Sequence, residues 1–264
     1  PTAPILLLRR PPDWAAGIAE EVAGSSPWLG VMRASSGLQQ LLLEACGGVV
    51  VATSANRSGE PLCASADADA ATLQELADHV LSHTLPVMNR IDDSVQRWAA
   101  GGSLTLRLGR GLAPMALPHP SSNAGALGLG AQIKGAVALQ TASHRLLSPD
   151  LGDLSSVAGA AHHQRTCRDW LQRHGLRMSH LACDQHPGYS ASAWAAELAA
   201  RHQLPLSAVQ HHHAHLLAVM AEHRIEGSAL GVAWDGAGQG DDGSLWGGEA
   251  LAITPDGYRR IAHL

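Results

Sequence analysis

Apolar positions along this chain recur with two different periods, and the alternation between them sketches a fold. Over Gly37–Ala45, Leu38, Leu41 and Leu42 fall on one face of a helix. Residues 67–81 repeat the pattern with Leu73, Leu76, Ala77 and Val80 behind an acidic first turn that suits the positive end of a helix. Residues 191–202 and His211–His223 read as two further helices. The run GGVVVAT at 47–53 is β-branched and ends in turn chemistry, which predicts a short buried strand. Residues 103–108 (SLTLRL) alternate as a strand does, 126–129 and 136–139 suggest a hairpin around 130–135, and 231–235 and 245–253 suggest two strands around a Gly-rich turn. Residues 113–123 (APMALPHPSSN) hold three prolines and no helical period, so they read as a linker. Helices interleave with strands on both sides of it. The expected fold class is therefore α/β twice over, with domains at 1–118 and 124–264. No internal repeat is visible.

Composition narrows the function classes. Hydrophobic residues make up 45% of the 264, enough for a buried core, and charged residues only 16%. No stretch of about 18 uncharged apolar residues exists, so no membrane partner is expected. The net charge is -5 and basic residues are not clustered, which leaves no electrostatic footprint for nucleic acid. Cys46, Cys63, Cys167 and Cys183 lie far apart and form no CxxC pair, so reduced cytoplasmic thiols are expected rather than a cysteine zinc site. The first residue is Pro1 and no charged-then-apolar leader follows, so a fragment of a longer chain is expected. Histidine is the outlier, with 16 against 18 Lys plus Arg.

Four segments hold candidate chemistry. The run TSANRSGEP at 53–61 could cradle an anion at a strand end, although its residues are also those of an ordinary turn. NRIDDSVQR at 89–97, with Arg107 and Arg110 downstream, could clamp phosphate through bidentate guanidinium contacts or simply pair Arg90 with Asp92 or Asp93. In QHHHAH at 210–215, His211 and His215 stand four apart, so on a helix two imidazoles face one way and can share a cation. A zinc peptidase would need Glu directly after the first His, where His212 stands. DGAGQGDDG at 235–243, followed by WGGE, spaces its glycines as GxGxG without a following helix, which excludes a dinucleotide-binding turn. Ala237 and Gln239 sit where an EF-hand needs ligands. Asp235 is the carboxylate available to complete a three-ligand site.

In this order the segments resemble one family. TSANRSGEP is similar to the strand-end motif of YrdC-like domains. NRIDDSVQR and LRLGRGLAP, then LGLGAQIKGAVAL, SPDLGDL, CDQHPGYSASAWA, VQHHHAHLLAVMAEH and GVAWDGAGQGDDGSLWGGE, resemble the HypF-type carbamoyltransferases of hydrogenase maturation. The resemblance implies part of a YrdC-like twisted mixed-sheet domain followed by part of a TsaD-like ASKHA-fold lobe. It implies formation of carbamoyl-adenylate from carbamoyl phosphate and ATP, and passage of the carbamoyl group to the carboxy-terminal cysteine of a partner, HypE. By resemblance, Ser54, Asn56, Ser94, Arg107 and Arg110 would line the nucleotide cavity of the first domain. Lys134, Gly236, Gly238 and Glu249 would lie near nucleotide in the second. His211, His215 and Asp235 would hold a divalent metal, zinc or iron, with magnesium accompanying ATP.

Departures from the family pattern include Arg33-Ala34-Ser35-Ser36-Gly37, Gln39 and Gln40 in place of a histidine pair, and Asp150 in place of a histidine. Ala237 and Gln239 stand in the glycine turn where Thr and Tyr are usual. The resemblance assigns activity to a longer architecture, so this chain alone is expected not to make carbamoyl-adenylate. Two alternatives stay open: a tRNA threonylcarbamoyl-adenosine factor built from the same domain types, and a degenerate fragment that binds nucleotide or metal without catalysis.

Overall fold

The computed structural model describes residues 2–11, 18–254 and 256–264. The chain divides into two compact units, Pro1–Met115 with Ser148–Asp150, and Ala116–Leu147 with Leu151–Leu264.

The first unit is built on β1 (Ile5–Arg9), β2 (Trp28–Val31), α1 (Gly37–Ala45), α2 (Ala70–Leu76), β3 (Val95–Ala99) and β4 (Gly102–Arg107). Its sheet runs in the order β2-β1-β3-β4, with β1 antiparallel to β2 and parallel to β3. β3 and β4 form a hairpin whose two turn residues, Ala100 and Gly101, both take positive φ, the geometry that matches strand twist. α1 has the predicted bounds, capped by the Ser36 side chain, which accepts from the Gln39 N–H. Its Leu38, Leu41 and Leu42 are nonetheless exposed.

Two expectations fail in this unit. GGVVVAT forms no strand, and Val49 and Val51 are 71% and 70% exposed. A β-branched run becomes a strand only when a neighbour pairs with it and covers it, and among the described residues none does. The helix expected over 67–81 ends at Leu76, because Ala77 turns extended and Val80 and Leu81 find nothing to pack against. Helical periodicity without tertiary burial does not hold a helix of this length.

The second unit contains β5 (Met115–Pro118), β6 (Ala126–Gly128), β7 (Ala138–Gln140), β8 (His144–Leu147), α3 (Val157–Arg173), β9 (His180–Asp184), α4 (Ser190–His202), β10 (Leu206–Val209), α5 (His211–His223), β11 (Ala229–Gln239), β12 (Leu245–Thr254) and β13 (Gly257–His263). Six strands make one mixed sheet in the order β10-β9-β6-β7-β8-β5. β6 and β7 pair as the expected hairpin, while β9 and β10 run parallel, joined by α4. β11, β12 and β13 form a separate antiparallel sheet. The segment read as a linker contains β5, an edge strand, where Pro118 costs no ladder bond. α3 and β13 were not expected. The polar run His162-His163-Gln164-Arg165 hides the buried stripe Gly159, His163 and Cys167 of α3.

Every buried hydrophobic side chain among the described residues belongs to this second unit. Leu127, Leu129, Leu139, Leu154 and Leu181 are at most 1% exposed and pack with Trp194 and Leu198 of α4. Each contributes roughly 1.5–3 kcal/mol on burial. Leu216, Trp246, Leu251 and Ile253 form a second cluster between α5 and the three-stranded sheet.

His163 sits in the larger core at 2% exposure, with Nε2 2.9 Å from the Leu129 carbonyl and its ring edge-on to Trp194. Burial lowers its pKa below the usual histidine value. The unfolded chain therefore takes up this proton first, and stability is expected to fall as pH drops below about 6.5. His163→Gln should flatten that decline in thermal melts compared between pH 7 and pH 5, and an unchanged pH dependence would refute the assignment.

Candidate functional site

The site forms where α5 crosses β11. Gln210 caps α5, its Oε1 accepting from the His213 N–H at 2.8 Å, so the helix begins at His211 and its first turn presents His211 and His215 on one face. Two glycines let the helix lie close on the strand. A Cβ on Gly231 would come within 2.7 Å of Leu216, and one on Gly238 within 2.8 Å of the His212 ring and 2.9 Å of the His211 Cβ. Between them, the pairing of β11 with β12 shifts register from Trp234 to Gly238. Such a bulge re-aims side chains, and the residue in it that carries a carboxylate is Asp235.

The side chains converge. Asp235 Oδ2 lies 3.1 Å from His211 Nε2 and 3.7 Å from His215 Nε2. The two imidazole Nε2 atoms are 3.2 Å apart. Asp235 Oδ1 accepts from the Gly236 N–H at 2.8 Å, whereas Oδ2 is buried without a hydrogen-bond partner. The three groups together offer ligand atoms that all lie within 4.8 Å of one another. Two imidazole nitrogens and one carboxylate oxygen, the oxygen lacking a hydrogen-bond partner, suit a divalent cation of the zinc or iron type.

Asp184, at the end of β9, was not singled out in the sequence. Its Oδ2 lies 2.6 Å from His211 Nδ1, and its side chain is 4% exposed. The carboxylate holds the proton on Nδ1 and leaves the Nε2 lone pair facing Asp235 and His215. The same hydrogen bond raises the His211 pKa, while burial and the neighbouring His211 lower that of His215. The available signal was an acidic residue at the carboxyl end of a strand followed by a helix, within CDQHPGYSASAWA.

The other candidates are placed as follows. Gly236 has open space where a Cβ would stand, whereas Gly238 is occupied by packing against α5. Glu249 on β12 is 1% exposed and makes a bidentate ion pair with Arg260 at 2.6 and 2.7 Å, which lowers its pKa. Arg260 in turn lies 4.2 Å over the Trp246 ring. Lys134 is exposed, with φ of 53°, in the β6–β7 connection. In the first unit, Ser54 is exposed, and the Asn56 amide bonds the Arg57 and Glu60 carbonyls of its own loop. Ser94 is fully buried, its Oγ donating to the Arg110 carbonyl and accepting from the Gly109 N–H. Arg107 donates to the Asp93 carbonyl, and Arg110 pairs with the Asp93 carboxylate at 2.7 Å. The pairing of Arg90 with Asp92 or Asp93 is not observed, since Arg90 faces Asp69 at 3.8 Å.

Comparison with known proteins gives a consistent result across both units. Residues 2–109 match the Sua5/YciO/YrdC family model, described as telomere recombination. Residues 121–222 match the HypF Kae1-like domain, and 231–264 the second subdomain of the carbamoyltransferase Kae1-like domain. The carbamoyltransferase HypF of Synechocystis sp. is 40% identical over 266 residues, covering 99% of this chain and 34% of the relative. HypF2 of Cupriavidus necator is 37% identical over 288 residues, again covering 99% and 34%. Among solved structures, full-length HypF in the phosphate- and nucleotide-bound form aligns over 100% of this chain and 41% of that one, with TM-score 0.89 and 32% identity. HypF of T. kodakarensis aligns with TM-score 0.91 and 31% identity, over 100% of this chain and 34% of that one. The chain thus spans about a third of the length of the curated relatives it matches.

The glycine contacts separate packing from openness. Gly238→Ala should destabilise the protein by roughly 1–3 kcal/mol through overpacking. Gly236→Ala should stay within about 0.5 kcal/mol. Denaturant unfolding of the two variants checks the contrast, and equal losses would contradict the close approach of α5 to β11.

Proposed function

Because the chain belongs to the HypF family of carbamoyltransferases, we propose that it works in carbamoyl transfer for hydrogenase maturation. The proposed chemistry makes carbamoyl-adenylate from carbamoyl phosphate and ATP, then hands the carbamoyl group to the carboxy-terminal cysteine of HypE. The observation that carries the reading is the convergence of His211, His215 and Asp235 around a buried carboxylate oxygen that has no hydrogen-bond partner among the described residues.

These three residues would hold a zinc or iron ion, and magnesium would accompany ATP. Bound there, the metal would act as a Lewis acid toward charge on the leaving phosphate or the carbamoyl oxygen. Asp184 fixes the His211 tautomer so that its Nε2 stays available. The open space at Gly236 admits a nucleotide close to the backbone, and exposed Lys134 is free to reach a phosphate. Gly238 and Glu249 serve that region indirectly, one by seating α5 and the other by anchoring Arg260. In the first unit, Ser54 and Asn56 with Arg107 and Arg110 would bind the nucleotide on which the adenylate forms, and the fully buried Ser94 would serve indirectly by bracing the Gly109–Arg110 backbone. No helix among the described residues is long and apolar enough to cross a membrane, and the four cysteines are free, which supports a cytoplasmic setting. A tRNA threonylcarbamoyl-adenosine factor would share the YrdC-like part, but two of the three matching family models are specific to HypF.

His211→Ala combined with His215→Ala should abolish stoichiometric metal in elemental analysis, and equal metal in variant and parent would count against the centre. The activity itself is tested by exchanging the matching segment of the Synechocystis relative for this chain. The hybrid should release pyrophosphate from ATP in a carbamoyl-phosphate-dependent manner and carbamoylate a HypE carboxy-terminal peptide. A folded, metal-loaded hybrid that does neither would overturn the reading.

A further inference from the structure

The geometry points to His212 as a positioning residue of the centre, a hydrogen-bond donor to Asp235 rather than a metal ligand. This inference deepens the metal reading above and rests on it.

The protonation of His212 follows from its neighbours. Gln210 is 3% exposed, and its amide orientation is set because Oε1 accepts from the His213 N–H. Its Nε2 therefore faces His212 Nδ1 at 3.0 Å and also donates to the Gln239 carbonyl at 3.2 Å. An amide nitrogen only donates, so Nδ1 of His212 must accept, and in the neutral ring the proton resides on Nε2. That Nε2–H belongs to a side chain that is 0% exposed, and it has no hydrogen-bond partner. Facing it at 4.0 Å is Asp235 Oδ2, the other buried atom of the site without a partner.

An unmet donor thus faces an unmet acceptor, about 1 Å too far apart for a hydrogen bond. Oδ1 of Asp235 is already taken by the Gly236 N–H, so Oδ2 is the oxygen left for a cation. A cation between Oδ2 and the His211 and His215 nitrogens leaves a second lone pair on Oδ2. A small movement of the carboxylate satisfies that lone pair from His212. Carboxylate ligands are commonly held by such outer hydrogen bonds, whose loss weakens metal affinity 10–100-fold. His211 and His215 hold their nitrogens toward Oδ2 without this help, so His212 acts through Asp235 alone.

The test is a calorimetric titration of the full chain with Zn2+. His212→Met keeps the volume and removes the donor. It should weaken Zn2+ binding 10–100-fold, measured on protein whose metal-free melt remains cooperative, since the variant loses the Gln210–Nδ1 hydrogen bond along with the Nε2 donor. His212→Gln, whose amide can present an N–H toward Asp235, should bind within a few-fold of the parent. The inference is overturned if His212→Met binds Zn2+ as tightly as the parent, or if His212→Gln loses as much affinity as His212→Met. A parent chain that binds no Zn2+ would defeat the metal reading and this inference with it. A parent that binds beside an unaffected His212→Met would defeat this inference alone.

Discussion

The close seating of α5 on β11 is the constraint on which the rest of the site depends. A helix lies this near a strand only where the strand offers no side chain, and Gly231 and Gly238 supply those two gaps. Leu216 fills one and the His211 and His212 side chains the other, so the helix is pinned at both ends of its first turns. The strand cannot stay regular under this load. Its register with β12 breaks between Trp234 and Gly238, the stretch that contains the carboxylate. Packing, bulge and ligand geometry are therefore one event, and Gly238, read from its motif as a place for nucleotide, has its first duty in letting α5 approach.

Around that contact, hydrogen bonds decide which nitrogens are available. Asp184 accepts a hydrogen bond from Nδ1–H of His211 and turns Nε2 toward the centre, whereas Gln210 donates to Nδ1 of His212 and leaves its Nε2 protonated. Adjacent histidines on one helix turn thus end in opposite roles, one presenting a lone pair and the other an N–H. The difference lies in the partner each ring finds on β9 or at the helix cap, not in the imidazoles themselves. Gln185 and Gln210 both donate to the Gln239 carbonyl, which ties the end of β11 to the start of α5. A buried network of this kind holds its geometry because each broken bond would strand a desolvated group.

Much of this was legible in the chain. His211–His223 and Gly37–Ala45 have the helical bounds read from periodicity, and His211, His215 and Asp235 meet as their spacing and the glycine turn implied. What escaped was whatever depends on partners distant in sequence. Asp184 is 27 residues from His211, and its place at the carboxyl end of a strand does not by itself say which side chain it orients. α3 was hidden because its buried stripe is made of Gly159, His163 and Cys167, small or polar residues that a hydrophobic period does not register. GGVVVAT failed in the opposite sense, with strong β-branched propensity and no strand to pair with. Local pattern reports what a segment can become, and the partner decides whether it does.

The same contrast separates the two units energetically. In the second, buried apolar side chains lie beneath β9, whose end carries Asp184, and beneath the sheet whose bulged strand β11 carries Asp235, so the side chains of the centre project from elements that cannot shift without opening the core. In the first, the residues proposed for nucleotide are held by polar bonds instead. Ser94 bridges Gly109 and Arg110, and Asp93 binds both Arg107 and Arg110. Many of its apolar side chains stay exposed, Val49, Val51 and Leu81 among them. Arginines tied to carboxylates in partly exposed positions can exchange a carboxylate for a phosphate at little cost, because surface ion pairs are worth at most about 1 kcal/mol. The proposed metal centre requires fixed ligands and has a core beneath it. A phosphate site can tolerate mobile guanidiniums, and in this chain their scaffold is made of hydrogen bonds.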